Sequence, residues 1–174
     1  MKGLKLLYRS MRKTILTFLL SIFLFIPQLT LADVNSESTP SVKVKVEKMS
    51  NIIDRFKEKI TLFFKFNSDE KLDYQQQLVE QRLGELDYVI RTGQGDFIEE
   101  VSSRYAAYVG RLSESLLSSN NNVKKEQVLE MFKTHPKILA KMRDNFPANS
   151  GFWLLLQHDI NTVQIYSDKI QNSK

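Results

Sequence analysis

The chain has 174 residues, 26% of them charged, with no cysteine and a formal net charge of +5. The missing cysteines exclude disulfides, thiolate metal sites, covalent haem attachment, lipoprotein attachment and cysteine nucleophiles. The excess positive charge, from Lys2, Lys5, Arg9, Arg12 and Lys13, lies wholly in residues 1–32; from Asp33 onward bases and acids balance. A balanced domain has no electrostatic footprint for nucleic acid, so that partner class is excluded.

Residues 1–32 read as a secretory signal peptide. A basic stretch without acids precedes the apolar run Thr14–Ile26, Pro27 breaks it, and Thr30-Leu31-Ala32 offers a peptidase site before Asp33. The alternative is an uncleaved signal anchor over residues 14–32, an uncharged run close to the roughly 20 residues that span a bilayer. Either reading exports the chain from Asp33 onward to the periplasm, the cell surface or the medium, as a free domain or one held at the membrane.

Residues 33–46 read as a flexible linker, polar at first (DVNSESTPS). Val42, Val44 and Val46 then alternate with Lys43 and Lys45, the pattern of a strand with no partner, hence an extended lead-in. A single helical domain is expected over residues 47–171. Its first helix carries Ile52, Ile53, Phe56, Ile60, Phe63 and Phe64 at spacings of three and four. The second, from about Asp69 to Arg91, carries Leu72, Val79, Leu83, Leu86 and Ile90. Gly93-Gln94-Gly95 is a break, and Asp96 with Glu99 predicts a capping box for a third helix through Val101, Tyr105, Tyr108, Leu112 and Leu116. After a turn at residues 118–122, a fourth helix carries Val128, Phe132, Leu139, Met142 and Phe146, with Pro136 expected to kink or split it. A fifth starts near Phe152 and runs through Leu156, Val163, Tyr166 and Ile170. Short connections make sequential helices antiparallel neighbours, so the expected fold is an all-α antiparallel bundle of four to five helices.

Few residue groups suggest chemistry. Met131, His135 and Met142 could face one site for a soft metal or haem iron, but one histidine with two thioethers is an incomplete ligand set, and core filling is the preferred reading. Glu-x-x-His pairs for a di-iron centre are absent, since Phe132 and Leu155 stand three residues before the two histidines. Asp159 falls on the apolar stripe of the fifth helix beside His158. Adjacent helical residues do not face each other, so a structural ion pair with Arg82 or Arg104 is expected there, not an acid–base dyad. Gly93-x-Gly95 does not follow a strand and is a turn, not a dinucleotide fingerprint. Tyr105 and Tyr108 with Arg104 and Arg111 could form an aromatic–basic face, though half-buried stripe positions with a solvated flank are preferred.

The first helix is the strongest surface candidate. Phe56, Phe63, Phe64 and Phe66 are interleaved with Arg55, Lys57, Lys59 and Lys65, as in helices that lie on anionic membranes. Asp54 and Glu58 offset half of those cations. Core packing is therefore expected, with membrane or partner contact through residues 52–66 as the alternative.

The run Phe63-Phe64-Lys65-Phe66-Asn67-Ser68-Asp69-Glu70-Lys71, followed by Gln81-Arg82-Leu83-Gly84-Glu85-Leu86, resembles a bacterial domain-of-unknown-function family of exported helical proteins with an Arg-Leu-x-Glu signature. The resemblance covers about residues 47–115. It implies an extracytoplasmic helical module with no established activity and no active site to carry over. Together these readings predict a non-enzymatic module without cofactor, metal or catalytic residues, acting by protein–protein contact or self-association at the cell envelope; a metal or haem carrier and a membrane-surface protein are the alternatives.

Overall fold

The computed structural model describes residues 40–119 and 121–173. The signal peptide or anchor expected over residues 1–32 lies outside them. Among the described residues no helix is long and apolar enough to cross a membrane.

The fold is all-α, as the periodicity predicts. Among the described residues five helices follow in order: α1 Ile52–Phe64, α2 Ser68–Arg91, α3 Ile98–Leu117, α4 Asn122–Arg143 and α5 Gly151–Asn172. Four begin on a side-chain oxygen that satisfies an otherwise orphaned backbone N–H. Asn51 and Asp54 form a reciprocal capping box on α1, while Asn67, Asn121 and Ser150 cap α2, α4 and α5. The capping box expected from Asp96 and Glu99 does not form. A 3-10 turn, Gly95–Phe97, leads into α3 instead, and Phe97 N donates to Gln94 O at 3.1 Å. Upstream, Gly93 has φ of 69° and closes α2, with Gly93 N bonded to Ile90 O and Gln94 N to Val89 O. That is the left-handed terminus glycine permits. Pro136 lies inside a continuous α4 and does not split it.

Helices α2 to α5 form a bundle in which α2 packs on α3, α4 on α5 and α3 on α5, with a lighter contact between α2 and α4. Within α2 to α5 the expectation that every sequential pair is adjacent fails at one place: α3 and α4 take a diagonal. The core runs through Val79, Leu83 and Leu86 of α2, Val101, Val109 and Leu112 of α3, Phe132 and Leu139 of α4, and Leu156 and Val163 of α5.

The lead-in is part of this packing. From Pro40 onward the chain lies against the bundle, and Val42 and Met49 pack on the core while Lys43 and Lys45 face solvent. Residues 40–46, read from sequence as linker, therefore continue the packed domain. Gly84 is the reason they fit: a Cβ there would stand 2.2 Å from the Val44 carbonyl oxygen. Gly84→Ala is expected to cost about 1–3 kcal/mol through this overlap, although alanine is the better helix former by about 1 kcal/mol. Trypsin should then cleave at Lys43 and Lys45 while the bundle stays resistant. An unchanged cleavage rate would show that the lead-in does not need the glycine.

Candidate functional site

The first helix meets the bundle the wrong way round for core packing. Ile52 is 75% exposed, Phe63 77% and Phe66 90%, and Ile53, Phe56, Ile60 and Phe64 are also exposed. The one buried residue of α1 is Glu58. Core packing of this helix, the preferred expectation, is overturned: its polar side faces the protein and its apolar side faces out. The physical cause lies on α2 and α3, which offer α1 charges instead of an apolar groove.

Arg82 of α2 is fully buried. Its guanidinium donates to Glu58 Oε1 on one side, and to Glu85 Oε1 and to Ser50 Oγ (2.8 Å) on the other. Ser50, one residue before the α1 cap, donates from its backbone N to Glu85 Oε1 at 3.0 Å and from its hydroxyl to the same oxygen. Tyr108 of α3 donates to Glu58 Oε2 at 2.8 Å, and its ring lies under Arg82 at 4.8 Å from the guanidinium carbon. Arg104 extends the cluster toward Glu85 (3.7 Å), Glu100 (3.1 Å) and the Ser50 carbonyl (3.4 Å). Burial alone would lower the Arg82 pKa, but Glu58 and Glu85 outweigh it and hold it above its ordinary value. Arg82 and Arg104 thus face Glu58 and Glu85 in the seam, with the exposed Glu100 on Arg104 at its edge, and α1 is fixed in rotation by Glu58. In this chain Arg82, Gly84 and Glu85 together form the seat for the lead-in and α1.

The structure separates the other candidates. Arg82 and Arg104 belong to that cluster, so neither reaches Asp159, and the expected ion pair is not formed. Asp159 is fully buried and, among the described residues, has a single partner, the Ser102 hydroxyl, which donates to Oδ2 at 2.7 Å, with none at Oδ1. Burial pushes its pKa up to about 7, with the Ser102 bond pulling the other way. His158 is exposed and points away. The aromatic–basic face also dissolves: Tyr105 turns into the core, Tyr108 toward Glu58, and Arg111 stays on the outer side of the Tyr108 ring at 5.4 Å.

His135 lies in a polar chain that sequence reasoning missed. The Tyr105 hydroxyl lies 2.9 Å from Nδ1, Glu80 Oε2 lies 3.2 Å from Nε2, and Lys43 of the lead-in reaches Glu80 Oε1 at 3.2 Å. This chain bridges the bundle diagonal from α3 to α4 to α2. Burial raises the Glu80 pKa, yet the His135 bond and charge, then Lys43, outweigh it, so Glu80 is held below its ordinary value. Nε2 thus faces the Glu80 carboxylate, and Nδ1 faces the hydroxyl of a tyrosine whose own pKa burial raises far above normal. Both ring nitrogens are therefore engaged, and binding a metal would break one of these bonds. Met131 and Met142 are core side chains. The sequence signal for this chain was Glu80 directly after Val79 on the buried side of α2.

Residues 52–137 match the family described as Domain of unknown function (DUF5667). The match agrees with a family of unknown function and reaches further toward the C-terminus than the resemblance over residues 47–115. It begins at the first residue of α1 and takes in Glu58, Arg82, Glu85 and Tyr108, together with the Glu80–His135–Tyr105 chain; Asp159 lies beyond it. No curated protein and no solved structure matches the chain.

Proposed function

We propose that this chain is a non-enzymatic helical module, exported to the cell envelope, that works by contact through the outward face of α1. The observation that carries the reading is the orientation of α1. A helix with seven large apolar side chains turns six of them to solvent, all but the half-buried Leu62, while a salt-bridged glutamate holds its polar side on a bundle whose core is already complete. Exposed apolar patches of this kind mark interaction surfaces. The grouping most like a catalytic set, Tyr105–His135–Glu80, fits this reading, because tyrosine and histidine are sealed in the core and bonded to each other.

The test separates contact from stability. Phe56→Ser with Phe63→Ser removes side chains that are already exposed, so the unfolding free energy from urea titration should stay within about 0.5 kcal/mol of the unaltered chain. A photo-crosslinking residue in place of Phe63, in the full chain in its native envelope, should form adducts that a crosslinker in place of the exposed Glu114 does not. Equal and minimal crosslinking at both positions would remove the contact reading.

A further inference from the structure

We infer that the occupant of the α1 face is an anionic lipid surface, on which the helix lies flat; the inference rests on α1 being the contact surface. On a helical wheel of about 100° per residue, Ile52, Phe63, Phe56, Ile60, Ile53 and Phe64 fall within an arc of about 120°, whose centre is about 180° from Glu58. Lys59 and Lys57 flank that arc, each roughly 20° beyond one of its two edges. Long lysine stems run along apolar surface and place their ammonium groups at the headgroup level, which is the disposition of an interfacial helix. Lysine is depleted at protein–protein contacts, so two lysines bordering an aromatic face fit a bilayer better than a protein groove.

The acids that weaken this charge pattern in the sequence are withdrawn from it in the fold. Glu58 is buried on Arg82 and Tyr108, and Asp54 is engaged in the α1 cap, accepting from Asn51 N at 3.1 Å. Arg55 lies toward Glu100 at 3.9 Å and Lys65 toward Glu70 at 3.9 Å. The outward side presents Lys57 and Lys59, both exposed and, among the described residues, without an ion-pair partner. The face is cationic and apolar even though the helix as a whole is nearly neutral.

The length of α1 fits the same surface. Thirteen residues of helix measure about 20 Å, too short to cross a hydrocarbon core of about 30 Å but suited to lying in its boundary. The seam with α2 and α3 fixes the rotation of α1, so the apolar arc is presented without reorganisation. Phe66, two residues beyond the C-terminus of α1, is exposed as well.

The chain contains no cysteine, which makes a site-specific probe direct. Phe63→Cys in the full chain, labelled with an environment-sensitive dye and reconstituted into vesicles, reports the surroundings of the arc. In vesicles with about one-third phosphatidylglycerol, the dye should shift to the blue and be quenched by lipids brominated on the acyl chain. Lys57→Glu with Lys59→Glu should weaken binding, read as the loss of quenching at limiting lipid, by at least about 25-fold, since each lysine near an anionic surface contributes about fivefold to binding. A label at Glu114 should stay in water and control for nonspecific adsorption. A blue shift that grows with protein concentration without lipid would overturn the proposal in favour of a second copy. A label shielded in the native envelope but wet on anionic vesicles would overturn it in favour of a protein partner, leaving α1 as the contact surface. A label wet in both settings would remove the lipid proposal and the contact reading together.

Discussion

Arg82→Met is expected to lower the stability of the chain by about 3–5 kcal/mol, the usual effect of deleting one member of a buried ion pair. Methionine keeps most of the volume, so the loss comes from charge. Glu58 and Glu85 would remain in the seam without the guanidinium that balances their negative charge, and Ser50 Oγ would lose a donor. Urea unfolding of the full chain measures the total. Amide hydrogen exchange should place the first damage in α1 and the lead-in, because those segments are held by this cluster. Glu58→Gln combined with Arg82→Met should cost less than the two single changes added together, as the neutral amide no longer needs the cation. Additivity of the two losses, or a single-variant cost below about 1 kcal/mol, would mean that the seam behaves as an exposed surface pair.

Asp159→Asn is expected to stabilise the chain above neutral pH, the opposite of what most core substitutions do. The Asp159 carboxyl has a folded pKa of about 7 against an ordinary value of 3.8. The folded state therefore holds a proton that the unfolded chain has released across that window, and stability falls as pH rises from about 4 to about 7. At pH 8 a buried carboxylate with one hydrogen bond is left, and the full shift corresponds to about 4 kcal/mol. Asparagine keeps the acceptor for Ser102 and carries no charge, so about 2–4 kcal/mol should be recovered at pH 8 and little or nothing at pH 4. The check is denaturant unfolding of both proteins at pH 4, 6 and 8, read as the difference between them, which cancels Glu80 and the other carboxylates. A difference that does not grow with pH would show that Asp159 is ionised throughout or finds a partner.

These two residues also mark where the sequence stops being informative. Asp159 was legible as a misfit, a carboxylate on an apolar stripe, and its burial follows from the register of α5. Its lack of a cation was not legible, because the two arginines expected to serve it had closer carboxylates. Arg82 finds Glu85 three residues along its own helix and Glu58 across the seam. A charge in a bundle takes the nearest opposite charge, and distances between helices are absent from any single helix's periodicity.

The helices, their caps at Asn51, Asn67, Asn121 and Ser150 (though not the box expected at Asp96), the glycine exit of α2 and the all-α class are written in the order of residues. These are local matters: one turn of chain decides whether a side-chain oxygen meets an N–H, and apolar residues at three-four spacing must share a face. Packing between helices settles the diagonal placement of α3 and α4, the Tyr105–His135–Glu80 chain across it, and the direction in which α1 faces. Periodicity says that α1 has an apolar side but carries no information on whether its neighbours provide a groove for it. Arg82, Glu85 and Tyr108 instead provide partners for a glutamate. Leaving Arg82 in the seam without Glu58 would leave a buried charge undercompensated, so the polar side of α1 turns inward and the phenylalanines turn out.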